Sequence, residues 1–360
     1  MSTQNQISLF VALSICMIGV FIGTITLAQP INTAYSELRW SPDGEYLAGL
    51  TDANQLEIRR VDGTVIQTIT AYKEATGDRT GVFSFDWSPD SRYIATGGTG
   101  EKIFIYDVLT GEVVQSLQAE GYTNDFISFI DWGKNGKLAA YGGSFTLLIW
   151  EVETGELTLQ IGLGTIVSFS WANQSNLLLE VSASNTISIL NADKGEITPA
   201  SRGGFAPQTL ITFGIESNLT RMIDRIIWSV DDQYLITTGV DGNVLVWDVH
   251  TGKQTRTIAK LDENITSLSL DPSGTVIALT TLQGNAYFYA YETGILISTL
   301  TRPSQLRTLA WSPDGETIAM GGGYVRSYWD VYVDPDDSLR TVSQQSNLEI
   351  IETPVVLNMP

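Results

Sequence analysis

The sequence predicts an all-β fold, a seven-bladed β-propeller of four-stranded antiparallel blades preceded by an N-terminal hydrophobic export segment. Three observations carry that expectation. An anchor residue followed by a polar turn recurs seven times: Trp40-Ser-Pro-Asp-Gly, Trp87-Ser-Pro-Asp-Ser, Trp132-Gly-Lys-Asn-Gly, Trp171-Ala-Asn-Gln-Ser, Trp228-Ser-Val-Asp-Asp, Leu270-Asp-Pro-Ser-Gly and Trp311-Ser-Pro-Asp-Gly. Successive anchors stand 47, 45, 39, 57, 42 and 41 residues apart. From each anchor, 19 or 20 residues lead to the end of a third short run, at Arg59-Arg60, Tyr106-Asp107, Trp150-Glu151, Leu190-Asn191, Trp247-Asp248, Tyr289-Ala290 and Trp329-Asp330. A period of about 40–45 residues with four short strands per copy is the mark of propeller blades.

The fifth copy shows the unit most plainly. Ser229 to Gln233 is a turn whose aspartates can bond their own backbone, and Tyr234 to Gly239 is a short β-branched strand. Val240-Asp241-Gly242-Asn243 is a hairpin turn carrying the Asp-Gly pair that tolerates positive φ. Val244 to Asp248 is apolar without alternation, as in a strand covered on both faces, and His250-Thr251-Gly252-Lys253 turns the chain again. Neighbouring copies supply the cover.

This pattern, with Trp150-Glu151 and Trp247-Asp248 closing their third strands, resembles the WD-repeat β-propeller family from about Tyr35 to Val342. The Trp-Ser-Pro-Asp-Gly turns are also similar to bacterial TolB-like propeller repeats. The resemblance implies a protein- or peptide-binding scaffold without cofactor. The family's Gly-His pair is missing, because the one histidine is His250. Its Asp-His-Ser/Thr-Trp tetrad therefore cannot form. In the fifth blade Asp241, Trp247 and either Thr237 or Thr238 survive without it.

In chain order, residues 1–28 stand apart as a signal peptide or N-terminal membrane anchor. Ile7 to Ala28 is an uncharged stretch long enough to span a bilayer core, and Thr26-Leu27-Ala28 resembles a signal-peptidase site. Attachment to a membrane through residues 7–28 and secretion after cleavage both remain open. Either way the propeller, residues 29–345, is expected to be extracytoplasmic and monomeric, with 346–360 as a tail or closing strand. Cys16 lies inside the apolar stretch, so the domain carries no disulfide. The formal charge of −20, from 40 acidic and 20 basic residues, is spread along the repeats and argues against nucleic acid as a partner.

Counting back from Trp40 as far as the outer strand stands from the anchor in other blades lands near Ile25. The last blade's outer strand is therefore expected from Ser338 to Val342 or from Leu348 to Val356. Strand parity places the a–b and c–d turns on one face and the b–c turns and blade-to-blade connections on the other. The second face is expected to gather Thr70 to Gly81 and an insertion from Ala200 to Asn218, between blades four and five. Variable loops on a rigid scaffold are where binding concentrates. The expected partner residues are Arg202, Phe205 and Phe213 of the insertion with Lys73 and Arg79 nearby; the alternative is a loop packing its own phenylalanines.

No catalytic constellation emerges. One histidine and no usable cysteine leave neither a His-based triad nor a zinc cluster. Asp43, Asp90, Asp231 and Asp314 occupy equivalent turn positions and read as turn formers before paired catalytic carboxylates. Asp334-Pro335-Asp336-Asp337 lacks the spacing of a calcium loop and reads as a solvated turn. The chain is therefore read as a non-enzyme without metal or cofactor. The alternative is a ligand-binding or hydrolytic propeller acting on a small molecule or carbohydrate at the channel mouth.

Overall fold

The protein, seen as a computed structural model, is described over residues 34–70, 81–119, 126–143, 145–183, 186–192, 223–239, 241–302 and 304–322, with 209–214 and 349–352 as strand backbone. Residues 1–28, where an export segment is expected, lie outside the described residues. Blade one comprises β1 (Tyr35–Trp40), β2 (Tyr46–Thr51), β3 (Leu56–Arg60) and β4 (Val65–Ile69). Blade two comprises β5 (Val82–Trp87), β6 (Tyr93–Gly98), β7 (Ile103–Asp107) and β8 (Val113–Leu117). Blade three follows with β9 (Ile127–Trp132), β10 (Lys137–Gly142), β11 (Thr146–Glu151) and β12 (Glu156–Gly162). Blade four holds β13 (Ile166–Trp171), β14 (Leu177–Ser182), β15 (Thr186–Asn191) and β16 (Thr209–Gly214). Blade five has β17 (Ile223–Trp228), β18 (Tyr234–Gly239), β19 (Asn243–Asp248) and β20 (Gln254–Lys260). Blade six has β21 (Ile265–Leu270), β22 (Val276–Thr281), β23 (Asn285–Ala290) and β24 (Leu296–Thr301). The last sheet contains β25 (Leu306–Trp311), β26 (Thr317–Gly322) and β27 (Glu349–Glu352).

Each sheet is antiparallel in chain order, so the anchor ends the innermost strand every time. The expectation of seven four-stranded blades needs correction. Among the described residues six sheets have four strands and the seventh has three. In that sheet β27 pairs with β26 from Thr317↔Glu352 to Met320↔Glu349, in the third position. The segment thus falls within the expected Leu348 to Val356 but stands beside the second strand, where Trp329-Asp330 was expected. Trp329, Asp330 and the alternative Ser338 to Val342 lie outside the described residues.

Burial follows position in the blade. β2 is buried along its whole length, whereas β8 reaches full burial only at Leu117. Apolar clusters lie between consecutive blades, as the two-sided cover demands. Tyr46, Ile58 and Val82 with Phe85 and Ile94 fill the first junction, and Ile105, Ile127, Ile130 and Trp150 the second. The circuit closes where Leu38 and Trp40 of blade one meet Ala319 of the last sheet.

Side-chain-to-backbone hydrogen bonds join the inner strands. The Trp40 indole donates to the Ala310 carbonyl at 3.1 Å, Trp87 to Arg39 at 3.1 Å, Trp171 to Asp131 at 3.0 Å and Trp228 to Ser170 at 3.2 Å. Among the described residues, the indole N–H groups of Trp132 and Trp311 have no hydrogen-bond partner. Hydroxyls three residues before the anchor add a second link. Ser84 accepts the Ile130 N–H at 3.0 Å, and Thr308 accepts the Leu38 N–H at 3.2 Å across the closing seam. The anchors therefore bond between blades as well as filling the core. Trp311 is only half-buried.

Trp171, 6% exposed and bonded to Asp131, should be the costlier tryptophan to remove. Trp171→Ala should destabilise by about 3–5 kcal/mol, Trp311→Ala by less, and Lys253→Ala in its exposed turn by under about 0.5 kcal/mol. Denaturant midpoints of the three variants check the order. Starting the chain at Gln29, far-UV circular dichroism should show less than about a fifth helix, against about a third in average globular proteins.

Candidate functional site

The turn face is built from one repeated device. In blade one the Ser41 hydroxyl donates to Asp43 at 2.6 Å and accepts the Tyr46 N–H at 3.0 Å, while Asp43 accepts the Glu45 N–H at 3.0 Å. Ser88 with Asp90, Ser229 with Asp231, and Ser312 with Asp314 repeat it. Hydroxyl hydrogen bonds from Ser229 and Ser312 hold the Asp231 and Asp314 carboxyls below their usual range. The four aspartates act as turn formers, as the sequence indicates.

These turns also touch one another around the ring. The last turn position is left-handed, normally a glycine site. Ser91 (φ 61°) and Asp232 (φ 58°) hold it without being glycine. Ser91 accepts the Asp43 N–H of blade one at 2.9 Å. Asp232 accepts the N–H groups of Asn173 and Gln174 of blade four at 2.7 and 2.8 Å. Backbone strain is thus offset by a bond to the preceding blade.

The loop face is laced differently, each blade's b–c turn to its own incoming connection. Asp52 donates to Ala34, Thr99 to Gly81, Gly143 to Phe126 and Leu282 to Asn264, all through backbone N–H groups. In blade six the Glu263 carboxylate accepts from Thr281 at 2.6 Å, Tyr287 at 2.7 Å and Asn285 at 3.0 Å. Burial alone would raise the Glu263 pKa, but these bonds outweigh it and lower it. Burial and the bond to Glu263 push the Tyr287 phenol up to about 12. On this face Phe145 stands out, 50% exposed and held at φ 57°. A bulky side chain in the left-handed region is a genuine outlier.

Strand direction separates the two segments expected to form one partner site. Residues 71–80 connect β4 to β5 and therefore join the loop-face ends. The long connection of blade four joins the end of β15 to the start of β16, at the turn-face end. The supposed insertion also contains β16, with Phe213 paired to Ile187 and Ile211 to Ile189, so Leu210, Ile211 and Phe213 belong to an outer strand. Lys73, Arg79, Arg202 and Phe205 lie outside the described residues. Asp334 to Asp337 does too, and among the described residues no group of three or more His, Cys, Asp and Glu could hold a metal ion.

The innermost strands bring together a charged set that sequence reasoning missed. The residue before the anchor is Arg39, Asp86 and Asp131 in blades one to three. Arg39 Nη1 meets Asp86 Oδ1 at 2.8 Å and its Nη2 meets Glu37 Oε1 at 2.7 Å. Asp86 Oδ2 accepts the Trp132 N–H at 2.6 Å, and Asp131 Oδ2 accepts the Trp171 N–H at 2.7 Å. Burial, then the Asp86 charge, push the Asp131 carboxyl up to about 8. Burial lowers and the facing carboxylates raise the pKa of Arg39, which ends above its ordinary value. The signal available in sequence was the shared register of three charged residues directly before tryptophans.

The residues that carry the family likeness are also placed. Trp247 Nε1 donates to Thr237 Oγ1 at 2.9 Å, so the surviving partner is Thr237. Asp241 instead serves its own turn, accepting from the Asn243 side chain at 2.6 Å. His250 lies outside any such tetrad and bonds Gln233 at 3.1 Å.

Residues 38–135 match the family model for the anaphase-promoting complex subunit 4 WD40 domain, and residues 216–248 match that of the WD domain, G-beta repeat. Protein HIR1 of Cryptococcus neoformans is 24% identical over 254 residues, covering 67% of this chain and 25% of that protein. Eukaryotic translation initiation factor 3 subunit I of Drosophila willistoni is 27% identical over 207 residues, 54% of this chain and 60% of that protein. Actin-interacting protein 1 of Drosophila melanogaster is 27% identical over 177 residues, 47% of this chain and 26% of that protein. The chain thus spans between a quarter and three fifths of the length of these curated relatives. These matches, with the blade topology and repeat register, support a WD-repeat β-propeller. The expected bacterial-type, TolB-like kinship finds no support in these matches.

The Trp247–Thr237 bond gives a direct test of that register. Thr237→Val keeps shape but removes the acceptor that Thr237 offers the buried Trp247 indole, and should cost about 1–3 kcal/mol. Thr238→Val, whose hydroxyl has no hydrogen-bond partner among the described residues, should cost distinctly less by chemical denaturation.

Proposed function

We propose that the protein is a non-catalytic scaffold that docks a protein or peptide partner on the loop face of blades one to three. The observation that carries this reading is Phe145. A half-exposed aromatic held in a strained backbone conformation is the kind of feature that clusters at ligand clamps, and aromatics are enriched at interface cores. The relatives support the general class, since their names include a subunit of a multiprotein factor and an actin-interacting protein. Lys73 and Arg79 belong to a connection that joins this face and would add basic contacts on an acidic protein. Arg202 and Phe205 belong to a connection at the opposite face and would serve a separate contact.

The channel-mouth alternative is less favoured, because the repeated turn aspartates already bond their own backbones. We also propose that the propeller works outside the cytoplasm, secreted or held by residues 7–28; the uncharged stretch from Ile7 to Ala28 supports this. Cell fractionation with N-terminal sequencing of the mature chain would test it, and an intact, cytoplasmic chain would reject it.

A photo-reactive phenylalanine placed at Phe145 should cross-link a discrete partner in the native host. The same group at Val230, 38% exposed on the turn face, should not. Equal products from both positions, or products from Val230 alone, would move the docking site off the loop face.

A further inference from the structure

We propose that the rim between blades five and six is a second docking surface, which takes an acidic peptide segment of a partner protein along the outer strand β20. The chain carries three bases, Lys253, Arg256 and Lys260, and no acid between Asp248 and Asp262. Lys253 and Lys260 are exposed. The other outer strands, β4, β8, β12, β16 and β24, contain no lysine or arginine. On a protein of formal charge −20, this strand is where an acidic segment meets attraction. β20 also ends its sheet, so its outer edge is open to an added strand.

Arg256 is held in place for such a ligand. Its guanidinium carbon lies 4.4 Å from the centroid of the Tyr291 ring. Tyr291 follows the third strand of blade six, where blades two, three and five have Val108, Val152 and Val249. Its hydroxyl is buried and, like Arg256 Nε and Nη2, has no hydrogen-bond partner among the described residues. The ring therefore serves as a platform for the cation and leaves Nη1 to a carboxylate. Glu292 Oε2 holds that place at 3.3 Å, with the Glu292 side chain 74% exposed. An exposed pair contributes little, so a partner's carboxylate can replace it. The same turn packs on β20: a Cβ on Gly294 would stand 2.9 Å from the Ile258 carbonyl oxygen. The next two residues, Ile295 and Leu296, are 62% and 48% exposed. A stacked cation beside exposed aliphatic groups suits a peptide with both carboxylates and apolar side chains, and a bare polyanion would leave Ile295 and Leu296 unused. None of these residues belongs to the loop-face site around Phe145, so either surface can fail alone.

Fluorescence anisotropy of the full-length protein with a labelled peptide alternating glutamate and leucine tests the proposal. The peptide should bind, more weakly as salt rises, and its counterpart with glutamine in place of glutamate should not. Arg256→Gln should weaken binding by about tenfold or more. Tyr291→Val, which installs the residue type of the equivalent positions, should keep the far-UV spectrum and weaken binding by about threefold or more. Lys134→Gln, in an exposed turn of blade three, changes the net charge equally and should leave affinity within about twofold at physiological salt. Equal losses from Lys134→Gln and Arg256→Gln would reduce the effect to net charge and overturn the site. The wild type alone also decides: no binding at about 1 mM peptide, equal binding of the glutamine peptide, or equally tight binding of inorganic polyphosphate would each overturn it. Self-association of the protein that Arg256→Gln abolishes would overturn it too, by making a second copy the occupant.

Discussion

The structure depends on bonding sheets that cannot pair with one another. A blade's innermost strand has an open edge, and the next blade presents its face, so no β-ladder can run from blade to blade. Apolar packing covers the faces without fixing register. Register comes from side chains that bridge sheets: indole N–H to carbonyl, hydroxyl to backbone N–H, carboxylate to backbone N–H. The ring closes through the same chemistry. Leu38 bonded to Thr308 and Trp40 to Ala310 join positions 270 residues apart in sequence.

That constraint explains why particular residue types recur at fixed distances from the anchor. Three residues before it a hydroxyl is useful, as in Ser84, Ser267 and Thr308, because the next blade's N–H points there. Directly before it the side chain varies, from Arg39 through Ser170 to Ala310. At the end of the a–b turn, glycine is the relaxed choice. Ser91 and Asp232 depart from it and gain an inter-blade bond. Each departure from the repeat therefore has a local cause.

The fold was legible in the sequence because its register is short-range. Anchor, turn and third strand lie within about twenty residues, and the strands fall where the repeat puts them. The errors came where a long connection broke the ruler. Thr209–Gly214 was read as part of a loop although counting back from Trp228, as done for the other blades, reaches this segment. Placing it as the outer strand moves the long connection to the opposite face. The last sheet failed for a different reason. β27 pairs across a long chain separation, and nothing within the repeat specifies that Glu349–Glu352 should stand beside Thr317–Met320. The Arg39–Asp86–Asp131 set was visible only as three unrelated residues, because the ring brings them together.

The ring's asymmetry then limits where function can sit. The turn face is tied from blade to blade through residues with little freedom: replacing Asp232 would leave the N–H groups of Asn173 and Gln174 without their acceptor. The loop-face bonds run mostly within a blade, so a b–c turn can change without unfastening its neighbour. Phe145 is such a turn residue: its backbone carbonyl accepts the Leu163 N–H at 2.7 Å while its side chain remains half exposed. Arg39, Asp86 and Asp131 lie in blades one to three, and Phe145 belongs to blade three. A partner seated on the loop face would meet Phe145, whereas Asp86 and Asp131 stand near the turn-face ends of β5 and β9, next to the anchors.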